Sequence, residues 1–93
     1  MTAIVLRLYI AGKTATAERA IGNLRRLITE IEETGQRVDL EIVDILEQPQ
    51  LAEDERILAT PVVIKKLPEP LRRIAGDLSA LDQVLIGLDL QVR

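Results

Sequence analysis

Cysteine and histidine are both absent from this 93-residue sequence, and their absence removes several kinds of chemistry at once. Without cysteine there is no disulfide, no thiol nucleophile and no thiolate ligand for a metal. Without histidine the chain lacks imidazole ligands and the side chain most used in acid-base catalysis. We therefore expect neither an enzyme nor a cofactor. The lack of cysteine also agrees with a reducing compartment, so the expected location is the cytoplasm.

Aromatic residues are almost absent too, since Tyr9 is the single one and there is no phenylalanine or tryptophan. A core made of leucine, isoleucine, valine and alanine has few shape-specific anchors and repacks easily. One aromatic ring is too few for stacking on successive bases, and a net charge of -3 gives no general attraction for nucleic acid. No apolar run is long enough to span a bilayer. Neither nucleic acid nor a membrane is an expected partner.

The first half of the chain has clear secondary-structure patterns. Residues 3–10 (AIVLRLYI) are apolar on both faces except at Arg7, which is typical of a strand covered on both sides. Apolar residues at three- and four-residue spacing from position 17 to 31 predict an amphipathic helix, which Thr14 or Thr16 can cap and Gly35 can close. Residues 38–45 mostly alternate and predict a second strand. A parallel, right-handed crossover joins two such strands by default.

The second half predicts shorter elements. Pro49 can open a short helix, with four apolar side chains available to pack: Leu51, Ala52, Ile57 and Leu58. Residues 61–66 and 71–75 predict two strands that pair with each other, and residues 77–79 can start a last helix.

The segment from residue 84 to 92 (VLIGLDLQV) fits two structures at once. Its apolar residues match a helix stripe, yet they also alternate as in a strand. Gly87 adds to the conflict, because glycine inside a helix costs about 1 kcal/mol relative to alanine. We expect tertiary contacts to decide the structure of this segment, and Gly87→Ala to favour its helical form.

The loop at Gly12-Lys13-Thr14 resembles the end of a phosphate-binding loop. That motif needs an earlier glycine, which would fall at Arg7 inside the first strand, so a turn with a capping threonine is the better interpretation. In the order strand-helix-strand-helix-strand-strand-helix, which is the plan of an α/β thioredoxin-like domain, this loop occupies the place of the reactive dithiol. Pro61 then takes the position of a proline that is usually cis in that fold, although only about 5% of X-Pro bonds in folded proteins are cis.

Three stretches together resemble one family: LRLYIAGKT at residues 6–14, the segment from 43 to 79 with its ILATP and LPEPLRRIAGDLS sequences, and VLIGLDL at 84–90. The chain is identified on these residues as a member of the KaiB family. The resemblance implies a non-enzymatic regulator that binds the N-terminal ATPase ring of the KaiC hexamer and favours its dephosphorylating phase. KaiA is an implied second partner where the host has it.

The resemblance also implies a single domain, residues 1–93, with two alternative folds. In the family, a ground state that self-associates as a dimer or tetramer rearranges its C-terminal half into a thioredoxin-like monomer. Residues 1–47 would be the invariant half and residues 48–93 the fold-switching half. The residues that match family positions tuning this balance are Tyr9, Gly87 and Asp89.

The partner-binding surface is a hypothesis that places KaiC contacts at Arg19 on the first helix and at Arg72 and Arg73. Two other functions stay open at this point. One is an enzyme of the phosphate-binding or redox type, against which the missing glycine, cysteine and histidine weigh. The other is a family paralogue that serves as a thioredoxin-fold adaptor in stress or two-component signalling, without a clock role.

Overall fold

The structure, a computed structural model, describes residues 3–90 as a four-stranded sheet with helices on both faces. The strands lie in the order β2-β1-β3-β4, so β1 and β3 are interior and β2 and β4 form the two edges. The elements are β1 (Ile4–Ile10), α1 (Ala15–Glu32), β2 (Val38–Asp44), α2 (Pro49–Asp54), β3 (Val62–Leu67), β4 (Arg72–Ala75) and α3 (Leu81–Gly87). The predicted α/β order of elements is confirmed.

Strand β1 is the centre of the sheet. It pairs in parallel with β2, with Leu6 opposite Leu40, and antiparallel with β3, with Leu8 opposite Val63. Its side chains toward α1 and α3 are buried, whereas on the α2 face Tyr9 is buried and Val5 and Arg7 are partly exposed. Helices lie over both faces of the strand, as the near-continuous apolar run predicts.

Helix α1 is capped by Thr14, the first of the two candidate threonines. The Thr14 hydroxyl accepts a hydrogen bond from the Ala17 backbone N–H at 3.0 Å, which satisfies one of the free donors of the first turn. After the helix ends at Glu32, Gly35 takes a left-handed conformation, with φ 91°, and turns the chain toward β2.

The core has two parts, one on each face of the sheet. The larger part lies under α1 and α3 and contains alternate β1 residues together with the apolar stripe of α1, including Leu24 and Leu27. The smaller part lies on the α2 face, where Leu51 and Ile57 pack against four buried residues: Tyr9, Val43, Val62 and Ile64. A short α2 leaves this second face less completely covered than the first.

Two local expectations are wrong. Leu58 does not pack with α2, since its side chain is 97% exposed. The last helix begins at Leu81 instead of at residues 77–79, because the Asp77 carboxylate accepts from the Ser79 backbone N–H at 3.1 Å and Leu78 adopts φ 63°. This left-handed residue interrupts the helix path before it can start.

The segment that fitted both a helix and a strand is helical as far as Gly87. Val84 and Leu88 are buried in the larger core, while Ile86 is exposed. Val92, which belonged to both patterns, lies outside the described residues. None of the helices within residues 3–90 combines the length and the apolar character that crossing a bilayer needs.

Candidate functional site

The loop between β1 and α1 is a turn tied to the neighbouring connection. Gly12, with φ 76°, donates its backbone N–H to Asp44 Oδ1 at 3.0 Å, and the Leu46 N–H donates to the same oxygen at 3.0 Å. The donor that a phosphate would need is therefore already bound to a carboxylate, whose charge repels anions. The geometry agrees with a structural turn and gives no phosphate cradle.

Pro61 is buried and directly precedes β3. The Thr60-Pro61 peptide bond is cis, as are the Leu67-Pro68 and Glu69-Pro70 bonds. The Pro61 carbonyl accepts from the Gly76 N–H at 2.9 Å, which joins the beginning of β3 to the end of β4.

Several carboxylates among the described residues form ion pairs with neighbouring cations. Glu41 Oε1 lies 2.7 Å from Arg7 Nε, and Asp39 Oδ1 lies 3.3 Å from Arg37 Nε. Glu55 pairs with Lys66. Among residues 3–90 no group of three or more acidic, cysteine or histidine residues is placed to hold a metal ion.

Tyr9 is fully buried on the α2 face of the sheet. Its hydroxyl accepts a hydrogen bond from Arg7 Nη1 at 3.2 Å. This bond, aided by the nearby Glu41 carboxylate, raises the pKa of Arg7 above its ordinary value, although partial burial acts in the opposite direction. Tyr9 is thus a core residue whose polar end anchors a charged pair at the surface.

Gly87 and Asp89 lie at the end of α3, on the opposite face of the sheet from Tyr9. A methyl group added at Gly87 would overlap Ile74 Cδ1 and lie 3.1 Å from Ile74 Cγ1, so the helix and β4 are in close contact there. Asp89 adopts φ 57° and donates its N–H to the Ile86 carbonyl at 3.0 Å. The three candidate switch residues therefore occupy two separate regions of the fold.

Lys65 has a structural role that the sequence analysis did not identify. The Lys65 side chain is buried on the face that carries α1 and α3, and its Nζ lies 3.4 Å from the Asp89 carbonyl oxygen. The ammonium thus sits at the C-terminal end of α3, where a positive charge is favourable. The alternation along β3 was the available signal, since Lys65 shares a face with the buried Val63.

The three candidate partner-binding arginines do not form one patch. Arg19 Nε lies 3.9 Å from Asp77 Oδ2, and the nearby Asn23 amide donates to the Asp77 carbonyl at 2.9 Å, so α1 touches the connection that follows β4. Arg72 and Arg73 are consecutive in β4, and their side chains leave opposite faces of the sheet. The Arg73 guanidinium donates to the Glu55 carbonyl at 3.1 Å on the α2 side, whereas Arg72 shares the α1 and α3 side with Arg19.

Comparison with known protein families gives one match over most of the chain. A family model described as the KaiB domain matches residues 7–90. A relative named circadian clock protein KaiB3, from Synechocystis sp., is 50% identical over 90 residues, which is 97% of this chain and 86% of the relative. A circadian clock oscillator protein KaiB from Prochlorococcus marinus is 52% identical over 86 residues, covering 92% of this chain and 80% of that protein.

Solved structures similar to this fold include the N-terminal domain of SasA and several thioredoxins. The N-terminal domain of Synechococcus elongatus SasA superimposes with a TM-score of 0.78 at 22% identity, over 98% of this chain and 88% of that domain. Mitochondrial thioredoxin 3 from Saccharomyces cerevisiae gives a TM-score of 0.71 at 18% identity, over 92% of this chain and 79% of the thioredoxin. At these identities the likeness concerns the fold, which is thioredoxin-like as the element order predicts.

Proposed function

Because the chain belongs to the KaiB family, we propose that it is a Kai clock protein, a non-enzymatic regulator that binds the N-terminal ATPase ring of KaiC and favours the dephosphorylating phase. The observation that carries this proposal is identity of about half of all residues, over nearly the whole chain, to proteins named for the circadian clock. The site of action is the cytoplasm, where KaiC and KaiB would meet.

The chemistry of the chain supports binding as its means of action. The loop that would hold a reactive dithiol in a thioredoxin is Ala11-Gly12-Lys13-Thr14, and it has no thiol to exchange electrons. Its backbone is used to hold the fold together through Asp44. The thioredoxin-like fold is thereby left as a scaffold whose faces are available to other proteins.

The proposed partners are the KaiC hexamer, KaiA where the host has it, and other copies of the chain. We propose that residues 1–47 keep one structure, while residues 48–93 rearrange between this thioredoxin-like form and a ground state that assembles as a dimer or tetramer. Gly87 and Asp89 lie in the proposed switching half, at the end of a short α3, and Tyr9 lies where β1 meets the elements of that half.

The proposed contact with KaiC uses the face that carries α1 and α3. Arg19 and Arg72 share this face and are both exposed, so they are suited to meet acidic groups of a ring. Arg73 projects from the other face, which makes it a separate candidate.

The test is to mix the purified chain with KaiC and, separately, with its isolated N-terminal ATPase domain, and to follow complex formation by size-exclusion chromatography with light scattering. We expect a complex in both mixtures and faster loss of phosphate from KaiC. Arg19→Glu combined with Arg72→Glu should weaken binding at least about tenfold. Arg26→Glu, which changes an exposed arginine elsewhere on α1, is the matched control.

Absence of a complex would overturn the proposal. A pull-down from the native cell separates the clock role from the alternative adaptor role. Recovery of KaiC as the main partner supports the clock role, whereas recovery of stress or two-component signalling proteins without KaiC would replace it.

A further inference from the structure

One exposed leucine stands out beside an open edge of the sheet. Leu58 is 97% exposed in the connection between α2 and β3, close to Arg56, which holds a left-handed conformation with φ 54°. Such a conformation is costly for a residue other than glycine, and a fully exposed leucine gains nothing from water. The connection therefore leaves this apolar side chain on the surface, next to β4.

Leu58 borders a groove of about 220 Å³ between that connection and β4. Apolar groups form its floor and wall, and two arginines stand beside them. We call this the Leu58 groove, and its lining residues are Arg56, Ile57, Leu58, Ala59, Val62, Arg73 and Ala75. Glu55, the acidic residue next to it in sequence, is already paired with Lys66. The groove is thus a local basic and apolar site in a chain of net charge -3.

The backbone beside the groove is free to pair with another strand. The Gly76 N–H points toward the β3 side and donates to the Pro61 carbonyl. In an antiparallel pair, residues whose backbone N–H and C=O groups point toward the partner strand alternate with residues whose groups point away from it. With Val63 opposite Ile74 and Ile64 opposite Arg73, the backbone groups of Arg73 and Ala75 point to the open edge. These are the two β4 residues whose side chains line the Leu58 groove.

We propose that the β4 edge and the Leu58 groove bind an extended segment of a partner protein as a fifth strand, with one acidic and one apolar side chain two residues apart. The acidic side chain pairs with Arg73 or Arg56, and the apolar side chain covers Leu58 and Val62. Alternate side chains of a strand point to the same face, so both reach the groove from one segment. The two arginines beside the groove favour an acidic side chain, and the backbone groups that point to the open edge favour an extended segment. The inference does not require KaiC as a partner, and it assigns Arg73 to this groove.

The test measures binding of a fluorescent peptide, Thr-Leu-Thr-Glu-Thr-Leu-Thr, whose palindromic sequence permits either strand direction. We expect saturable binding by anisotropy. Leu58→Ser should weaken it at least about tenfold because it removes the apolar contact, and Arg73→Glu should do the same because it places a negative charge beside the acidic side chain. The matched controls are Leu46→Ser, at another exposed leucine, and Arg72→Glu, on the opposite face of the same strand. Both controls should bind as the unaltered chain does.

Ala75→Pro tests the strand pairing itself, because it removes one outward N–H and leaves the inward bonds in place. We expect this variant to keep its circular dichroism spectrum and lose the peptide. Absence of binding by the unaltered chain, or equal binding by Leu58→Ser and its control, overturns the proposal. The proposal is also overturned if the unaltered chain forms oligomers and Leu58→Ser or Arg73→Glu dissociates them, because a second copy of the chain would then occupy the groove.

Discussion

Substitution of Gly87 by alanine has two opposing effects on the stability of the fold. A helix with alanine at this position would be more stable by about 1 kcal/mol on propensity alone. The added methyl group would, however, overlap the end of the Ile74 side chain, which must then change its rotamer or move. The effect of the substitution therefore depends on a residue in another element.

The first prediction separates these two effects. Gly87→Ala alone should stabilise the thioredoxin-like form by clearly less than 1 kcal/mol, whereas the same change made in the Ile74→Val background should recover about 1 kcal/mol, because valine lacks the Cδ1 that is in the way. Urea unfolding of the four proteins gives the coupling energy. The monomer fraction of the four proteins should change in the same order as their free energies of unfolding. Equal effects of Gly87→Ala in both backgrounds would show that Ile74 plays no part.

A second prediction concerns the pH dependence of the turn at Asp77. Hydrogen bonds from Ser79 lower the pKa of Asp77 below its ordinary value, and Arg19 adds to this effect. A carboxylate whose pKa is lowered on folding stabilises the fold above its unfolded pKa of about 3.9, and this contribution disappears as the pH falls through the folded value. The turn should therefore loosen only below about pH 4.

The Ser79 amide resonance reports this change directly. In an NMR titration its midpoint should lie below 3.9, the approximate value for an unperturbed aspartate. Arg19→Gln should raise that midpoint slightly, and Arg25→Gln, at an exposed arginine farther along α1, should not. A midpoint at or above the ordinary value would contradict the hydrogen-bonded turn.

Among the elements, helix α1 is the one most fully specified by its own residues. It has a capping threonine, an acidic residue in its first turn at Glu18, an apolar stripe and a glycine after its end. All of these signals are local to the helix and its ends, although the sequence alone offered both Thr14 and Thr16 as the cap. The third prediction tests the first of them.

Thr14→Ala should lower the free energy of unfolding by about 1 kcal/mol, because the Ala17 N–H loses its acceptor at the helix start. Chemical denaturation measures the loss. Thr16→Ala is the matched control, since the Thr16 hydroxyl contacts the exposed Arg19 side chain and caps nothing. If Thr16→Ala is as destabilising as Thr14→Ala, the cap has been assigned to the wrong threonine.

The shorter elements of the second half were less predictable for a physical reason. The sequence offered Leu58 as a packing residue, but it is exposed in the connection that follows the left-handed residue Arg56. The last helix was expected at residues 77–79, where the Asp77 turn and left-handed Leu78 delay it. Left-handed conformations of arginine and leucine are rare, so a sequence pattern gives no warning of them.

At the scale of the whole molecule, the elements of residues 1–47 and those of residues 48–93 differ in the contacts that stabilise them. Strand β1 is bonded on both sides, to β2 and β3, and both of its faces are covered. Helices α2 and α3 have 6 and 7 residues, and isolated helices of this length are not stable, so they depend on contact with the sheet.

The fourth prediction is that hydrogen exchange reveals this difference. Amides of β1 should exchange at least about tenfold more slowly than those of α3, since opening of α3 needs less of the core to separate. Exchange mass spectrometry or NMR on the intact chain makes the comparison. Helix α1 serves as the control, and its central amides should resemble β1. Uniform protection across β1 and α3 would contradict both the comparison and the proposed division at residue 48.

By itself the sequence determined the order of the elements, the covering of β1 on both faces, the amphipathic character of α1 and the lack of thiol and imidazole chemistry, because each depends on residue type and local spacing. Tertiary structure decided that residues 84–87 are helical, that Lys65 is buried at the end of α3, and that Arg72 and Arg73 leave opposite faces. It also placed Gly87 so close to Ile74 that a methyl group added at Gly87 would overlap the Ile74 side chain. These outcomes depend on contacts between residues far apart in the chain, where the same local pattern is compatible with more than one packing.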